Sequence, residues 1–278
     1  MLDVLRQAKV KPTKVRLMKW LFLMGQETGV RAYLPFYDFL PYRYGPFSFT
    51  VYYELARLEQ AGLVTEDLRI VEGREREVDE IAERLKPAVR ETATDTLFKY
   101  GGLSSAALID SVYTRYGWYA SRSELRTPRE REEMAPAVFT TGYEGESIDA
   151  FLDKLLRAGI GRVIDVRKNA YSQKYGFSGG PLNRMCGNVG IEYRHLPELG
   201  IPSNLRADLS TRTKRQVLFK KYEKELLPKQ PNAQHLAAGL LRERASVLLC
   251  VERHAEDCHR GTLAPYLAAS TGLEISHI

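Results

Sequence analysis

The sequence predicts a mostly α-helical winged-helix domain followed by an α/β domain with a parallel, Rossmann-like sheet. Three observations carry that prediction. The chain has 278 residues, 44% hydrophobic and 27% charged, which is ordinary globular composition at a length suited to about two domains. Its apolar residues recur at helical spacing in the first half, whereas short apolar runs alternate with amphipathic helices in the second. Between them SRSELRTPREREEMAP, residues 121–136, is charged, contains two prolines and has almost no apolar residues, as a solvated linker or exposed helix end does. The expected parts are a helical winged-helix module over 1–125, a linker over 126–136 and the α/β domain over 137–278.

In the first part, apolar residues at Val15, Leu17, Met18, Leu21 and Phe22 predict a helix over Thr13–Gly25, with Gly25 as its stop. PYRYGPFS reads as a loop punctuated by proline and glycine. Ser48 or Thr50 can cap a helix running to Ala61, which Gly62 ends. Leu63–Thr65 and Arg69–Val71 then flank a polar turn, with Arg76–Val78 after it, and two or three further helices are expected around Asp79–Tyr100 and Ser104–Tyr116. A helix, a glycine-terminated helix and a short hairpin follow winged-helix order. Val15 to Val78 resembles winged-helix modules, and PYRYGPF resembles the loop of the SocA-like antitoxin (Panacea) domain. The resemblance implies binding of DNA or of protein; the expected reading helix, Phe49–Ala61, has Arg57 as its only basic residue.

In the second part, strands are expected at Val138–Thr141, Arg162–Val166, Glu192–His195, Val247–Val251 and Glu274–His277. Helices are expected at Ile148–Ala158, Gln216–Leu227, Ala233–Arg244 and Arg260–Ala269, and a helix or turn at Asn183–Gly190. Alternation of this kind implies a parallel sheet with right-handed crossovers. TTGYEG, VIDVRKNAYSQKYGFS, IEYRHLPELG and LLCVERHAEDCHRGTLA occur in this order. On these four motifs the C-terminal half resembles the family named domain of unknown function 488. The resemblance implies a compact α/β domain with a shared pocket and supplies no reaction.

Three cysteines in a chain this long argue against a disulfide framework and for a reducing cytoplasm. The N-terminal apolar run is short, is interrupted by Lys19 and is not a convincing signal peptide. No segment approaches the length of a membrane span, so no membrane partner is expected. Residues 1–135 carry 21 Lys+Arg and 20 Asp+Glu; residues 136–278 carry 20 and 15. The basic excess gathers in Arg206–Lys229, which points to a phosphate-bearing partner, with DNA favoured, although the interleaved Glu223 and Glu225 also suit a solvated helix face. A second copy of the chain is a further admissible partner.

Ligands of open α/β sheets bind at the carboxyl ends of the strands. Gly142, Tyr143 and Glu144 follow the first strand, Asp165 and Arg167 end the second, and Ser172 and Lys174 lie in the next loop. His195 closes the third strand, and Cys250 and Glu252 end the fourth. Gly142 would admit close backbone approach to a ligand or merely a tight turn; Tyr143 would stack on a base or close the core. Asp165 and Arg167 would be an acid/base and an anion clamp, or structural ions. Cys258, expected near a helix start, would be a thiolate nucleophile, with His259 and Arg260 beside it holding phosphate. The alternative makes Cys258 a buried helix-start residue and Arg260 a partner of Glu252. Cys250, within an apolar strand, is expected in the core, and Cys186 is expected to be inert.

The candidate catalytic set is thus Asp165, Glu252 and Cys258. Gly142, Tyr143, Glu144, Arg167, Ser172, Lys174, His195, His259 and Arg260 are the candidate ligand-binding set. Cys250 and Cys258 with His259 or His254 are an alternative metal-ligand set, but C-x7-C-H is not a common zinc spacing, so no metal and no cofactor are expected. The function expected is that of a nucleic-acid-directed enzyme acting on a modified or damaged base or nucleotide. A winged-helix regulator that senses an anionic ligand, or a defence-associated interaction module, remains the alternative.

Overall fold

The computed structural model describes residues 1–126, 132–206 and 211–278. The chain forms two compact units, Met1–Glu130 and Arg131–Ile278. The expected linker falls partly on 127–131, outside the described residues. No helix among the described residues is long and apolar enough to cross a membrane.

The first unit contains α1 (Leu2–Gln7), α2 (Lys14–Glu27), a hairpin of β1 (Leu40–Tyr42) and β2 (Gly45–Phe47), α3 (Phe49–Gln60), α4 (Glu75–Glu83), α5 (Pro87–Tyr100), α6 (Ser105–Arg115) and α7 (Gly117–Ala120). Its centre is α2, buried from Leu17 to Gly25. Trp20 lies within it and donates from Nε1 to the Tyr100 carbonyl at 3.3 Å. At the end of α2, Glu27 accepts hydrogen bonds from Lys99 (2.8 Å), Tyr100 (2.5 Å), Tyr116 (3.1 Å) and Arg115. Burial alone would raise the Glu27 carboxyl; those donors and the Arg115 charge outweigh it and hold the group at about 2.

Two local expectations are corrected here. PYRYGPFS is a tight hairpin, made possible by Gly45 at φ 92°. Arg76–Val78 belongs to α4, where Glu75 and Glu77 favour the first helical turn. The further helices expected around Asp79–Tyr100 and Ser104–Tyr116 are present, with Pro87 starting α5. After α3, Val64 and Ile70 form a single antiparallel bridge where the short hairpin was expected.

The second unit contains β3 (Val138–Gly142), α8 (Ile148–Arg157), β4 (Arg162–Asp165), α9 (Gly179–Asn188), β5 (Glu192–His195), α10 (Arg212–Lys221), α11 (Pro231–Glu243), β6 (Ser246–Cys250), α12 (Arg260–Thr271) and β7 (Ile275–His277). All five strands are parallel, in the order β5-β4-β6-β3-β7, which makes the unit a Rossmann-like α/β sheet domain. The central strands β4, β6 and β3 are buried along their whole length, whereas the edge strands β5 and β7 are partly exposed. Ser147 caps α8 by accepting from the Ala150 N–H, a contact worth about 1 kcal/mol.

Register decides which side each residue serves. Val138, Ile164, Val166 and Leu248 join a core with Leu218, Tyr222, Leu241 and Leu263 from the region of α10 to α12. Their neighbours Phe139, Val163, Val247 and Leu249 are buried on the opposite face. Beyond α10, a π-helical turn, Tyr222–Leu226, carries Tyr222 into this core, where its hydroxyl donates to the Leu199 carbonyl at 2.7 Å.

Candidate functional site

The connection from β3 runs toward β4, whereas that from β6 runs past β3 to β7, so neighbouring strands β6 and β3 send their chains in opposite directions. A crevice opens where strand order reverses in this way. A cavity of about 390 Å³ lies there, at the end of β6. Cys250, Cys258, His259 and Glu252 line it, together with Glu144, His254 and Asp257. Arg206, Arg215, Ile201, Leu218 and Phe219 form the remaining lining.

The deepest part is a three-residue cluster. Cys250 ends β6, whereas Cys258 and His259 come from the turn before α12. His259 Nδ1 lies 3.7 Å from both the Cys250 and the Cys258 sulfur. Its Nε2 is 3.1 Å from the Val166 carbonyl, which accepts a hydrogen bond only from a protonated Nε2. The edge of the Tyr222 ring packs on the imidazole, with centroids 5.5 Å apart. The Cys250 thiol is 3.3 Å from Glu252 Oε2.

The two thiols differ. Hydrogen bonding from Cys258 and the charge of His259 pull the Cys250 thiol down against the cost of burial. Burial, and the charge that Cys250 bears, push Cys258 up. Burial alone would lower His259; the facing Cys250 outweighs it and raises the imidazole. Cys250, the residue expected in the core, is buried and also lines the cavity. As expected, Cys258 stands just before a helix: α12 begins at Arg260, and Cys258 has extended backbone with φ −134°.

The other face of the same sheet end holds a different cluster. In the register of β4 on β6, Asp165 pairs with Leu249, so the Asp165 side chain emerges on the face opposite Cys250. Asp165 is fully buried and accepts from Arg167 Nε (2.8 Å), Arg167 Nη2 (2.5 Å), the Arg167 backbone N–H (3.1 Å) and the Tyr193 hydroxyl (2.7 Å). Arg167 also donates to the Tyr143 hydroxyl at 3.0 Å, and Tyr143 stacks on Phe177 with centroids 4.1 Å apart. Burial would lower Arg167; the Asp165 contact outweighs it and raises it instead.

The expected single ring of site residues is therefore two clusters on opposite faces. Of the candidate residues, Glu144, Glu252, Cys258 and His259 line the cavity, whereas Asp165, Arg167, Tyr143, Ser172, Lys174 and His195 do not. Ser172 and Ser178 tie their loop through 2.9 and 3.0 Å hydrogen bonds, and Lys174 donates to the Tyr143 carbonyl at 3.4 Å. His195 Nε2 lies 2.8 Å from the Arg167 carbonyl. Arg260 is buried and outside the cavity lining; its Nη atoms donate to the Glu252 (2.5 Å) and Arg253 (2.8 Å) carbonyls. Its task is to hold the 252–253 backbone, and its partner on Glu252 is the main chain. Gly142 packs against the chain that follows β6: a Cβ there would lie 1.7 Å from the Glu252 carbonyl oxygen, so a side chain has no room. Cys186 is buried, and its thiol is pushed up to about 12.

Ile201, Leu218, Phe219 and Asp257 were not anticipated at the site. Arg206 and Arg215 were anticipated only as members of a basic segment. The helical spacing of Arg215, Leu218 and Phe219 in α10 was the available signal, but nothing in the sequence said which surface that face meets. Among groups with metal-ligating atoms, Cys250, Cys258 and His259 are brought within 4.8 Å of one another.

Residues 147–267 match the family described as Domain of unknown function DUF488. No curated protein and no solved structure matches the chain. The matched span contains every residue that lines the cavity except Glu144.

Proposed function

We propose that the α/β domain is a nucleic-acid-directed enzyme that acts hydrolytically on a modified or damaged base or nucleotide. The observation that carries this reading is the cavity itself. A reactive Cys250–Cys258–His259 floor, a carboxylate at Glu252 and an apolar wall of Ile201, Leu218 and Phe219 share one space. Its volume suits a nucleoside-sized group. An apolar wall facing polar groups is the arrangement that receives an extruded base. Arg215 reaches the cavity from α10, whose Arg212, Lys220 and Lys221 are exposed, so a basic helix borders the entrance. The cluster supplies the reactive centre, and Glu252 accepts the proton.

The test is incubation of the full chain with single- and double-stranded DNA, RNA and free nucleotides, natural and base-modified, with products read by mass spectrometry. Turnover is expected, and it is expected to vanish in Cys250→Ser and Glu252→Gln. Product formation unaffected by both substitutions would refute this assignment of the site.

A second reading concerns the N-terminal unit. We infer a winged-helix module that engages DNA, supported by the order α2, α3 and the Val64–Ile70 bridge and by exposed Tyr52 and Tyr53 on α3. Arg57→Glu is expected to weaken DNA binding by the full chain while turnover of a free nucleotide is kept. Binding unchanged in that variant would favour a protein partner.

A further inference from the structure

We propose that Cys250, Cys258 and His259 bind a zinc-class divalent metal ion, with the fourth coordination position open to the cavity. Three observations converge on this site. First, its spacing is that of a coordination sphere. A tetrahedral zinc with Zn–S about 2.3 Å and Zn–N about 2.0 Å sets sulfur and nitrogen roughly 3.6 Å apart. His259 Nδ1 lies 3.7 Å from each sulfur, and all three atoms lie within 4.8 Å of one another.

Second, the histidine is already oriented as a ligand. Metal-bound histidines donate their remote ring N–H to a carbonyl or carboxylate, which fixes the tautomer and aims the other nitrogen's lone pair at the metal. Here Nε2 donates to the Val166 carbonyl and Nδ1 faces both sulfurs. Tyr222 packs on the ring and holds its plane.

Third, the donor set and its surroundings select the kind of site. Two thiolates and one imidazole suit zinc among abundant divalent ions, and three protein ligands with a vacant fourth position mark catalytic rather than structural zinc. The vacant side faces the cavity, where the Glu252 carboxylate stands 3.3 Å from Cys250 Sγ. Glu252 is thereby placed as a proton acceptor beside the metal, not as a ligand. Metal loading stands on this geometry and does not depend on the substrate reading above.

The experiment is metal analysis of the reduced full chain after reconstitution with Zn²⁺, followed by Co²⁺ substitution. One equivalent per chain is expected, with the thiolate charge-transfer and intense d–d absorption of tetrahedral cobalt. Cys250→Ser, Cys258→Ser and His259→Ala are each expected to abolish stoichiometric loading, whereas Cys186→Ser and Glu252→Gln are expected to keep it. Circular dichroism checks that each variant is folded, and the wild-type stoichiometry and spectrum stand without any variant. Absence of stoichiometric metal in the reduced wild type, or full loading of a Cys250→Ser/Cys258→Ser double variant, would overturn the proposal. Loss of metal in Glu252→Gln would overturn the open fourth position. A chain that binds metal but turns over no nucleic acid would refute the substrate reading and leave the metal site standing.

Discussion

The two polar clusters at the carboxyl end of the sheet are built from similar materials and have opposite fates. On one face, Asp165 is surrounded by donors: Arg167 contributes three and Tyr193 a fourth, and Arg167 in turn reaches Tyr143. On the other, Cys250, Cys258 and His259 turn their ligating atoms toward one another and toward open space. Buried charge is tolerated when it is paired and hydrogen-bonded. The first cluster meets that condition internally and has nothing left to offer a ligand. The second meets it incompletely, and such incompleteness is what chemistry uses.

The contrast can be broken at its strongest point first. Asp165→Ala leaves the Arg167 guanidinium buried without its anion and is expected to destabilise the domain by about 3–5 kcal/mol in urea denaturation. A loss below about 1 kcal/mol would show that the network is not closed. Arg260→Met strips two carbonyls of their donors and should cost roughly 1–3 kcal/mol, with faster amide exchange across 252–254. Tyr193→Phe removes one donor from Asp165 and should cost about 1 kcal/mol. In the metal-free protein Cys250→Ser should cost roughly 1 kcal/mol or less, because its partners face a cavity rather than close packing. That change should nevertheless abolish turnover, so stability and activity separate on one face and not on the other.

A further effect lies in the N-terminal unit and appears with pH. The Glu27 carboxyl is held at about 2, below its ordinary value of 4.5. A depressed carboxylate stabilises fully above its unfolded value, so this contribution should be intact above about pH 4.5 and fade as pH falls toward 2. Glu27→Gln should flatten the acid limb of the stability profile in that window. An unchanged limb would show that the four donors around Glu27 contribute no net stability.

Much of the fold was legible because its signals are local. Alternating apolar runs and capped helices announced the parallel sheet, and Ser48 and Ser147 cap the helices they precede. The hairpin at Tyr42–Gly45 hid inside a loop signal, because three-residue strands leave almost no period to read. The site was half legible. The Cys258–Arg260 stretch was recognised, and its meeting with Glu252 was expected. Which residues share a face was not legible, because that depends on register: the pairing of Asp165 with Leu249 sends Asp165 and Cys250 to opposite sides. Cys250 looked like core because its neighbours are core. It is buried as expected, and it also reaches the cavity because it stands last in the strand.

The π-helical turn at Tyr222–Leu226 makes that half-built cluster vulnerable in an unusual way. A π turn holds one residue more than an α-helix needs. Deleting a single residue there would let the helix close into regular form with its flanks nearly in their former register. Secondary structure would survive such a deletion, yet the widened turn that begins at Tyr222, whose ring packs on His259, would be lost.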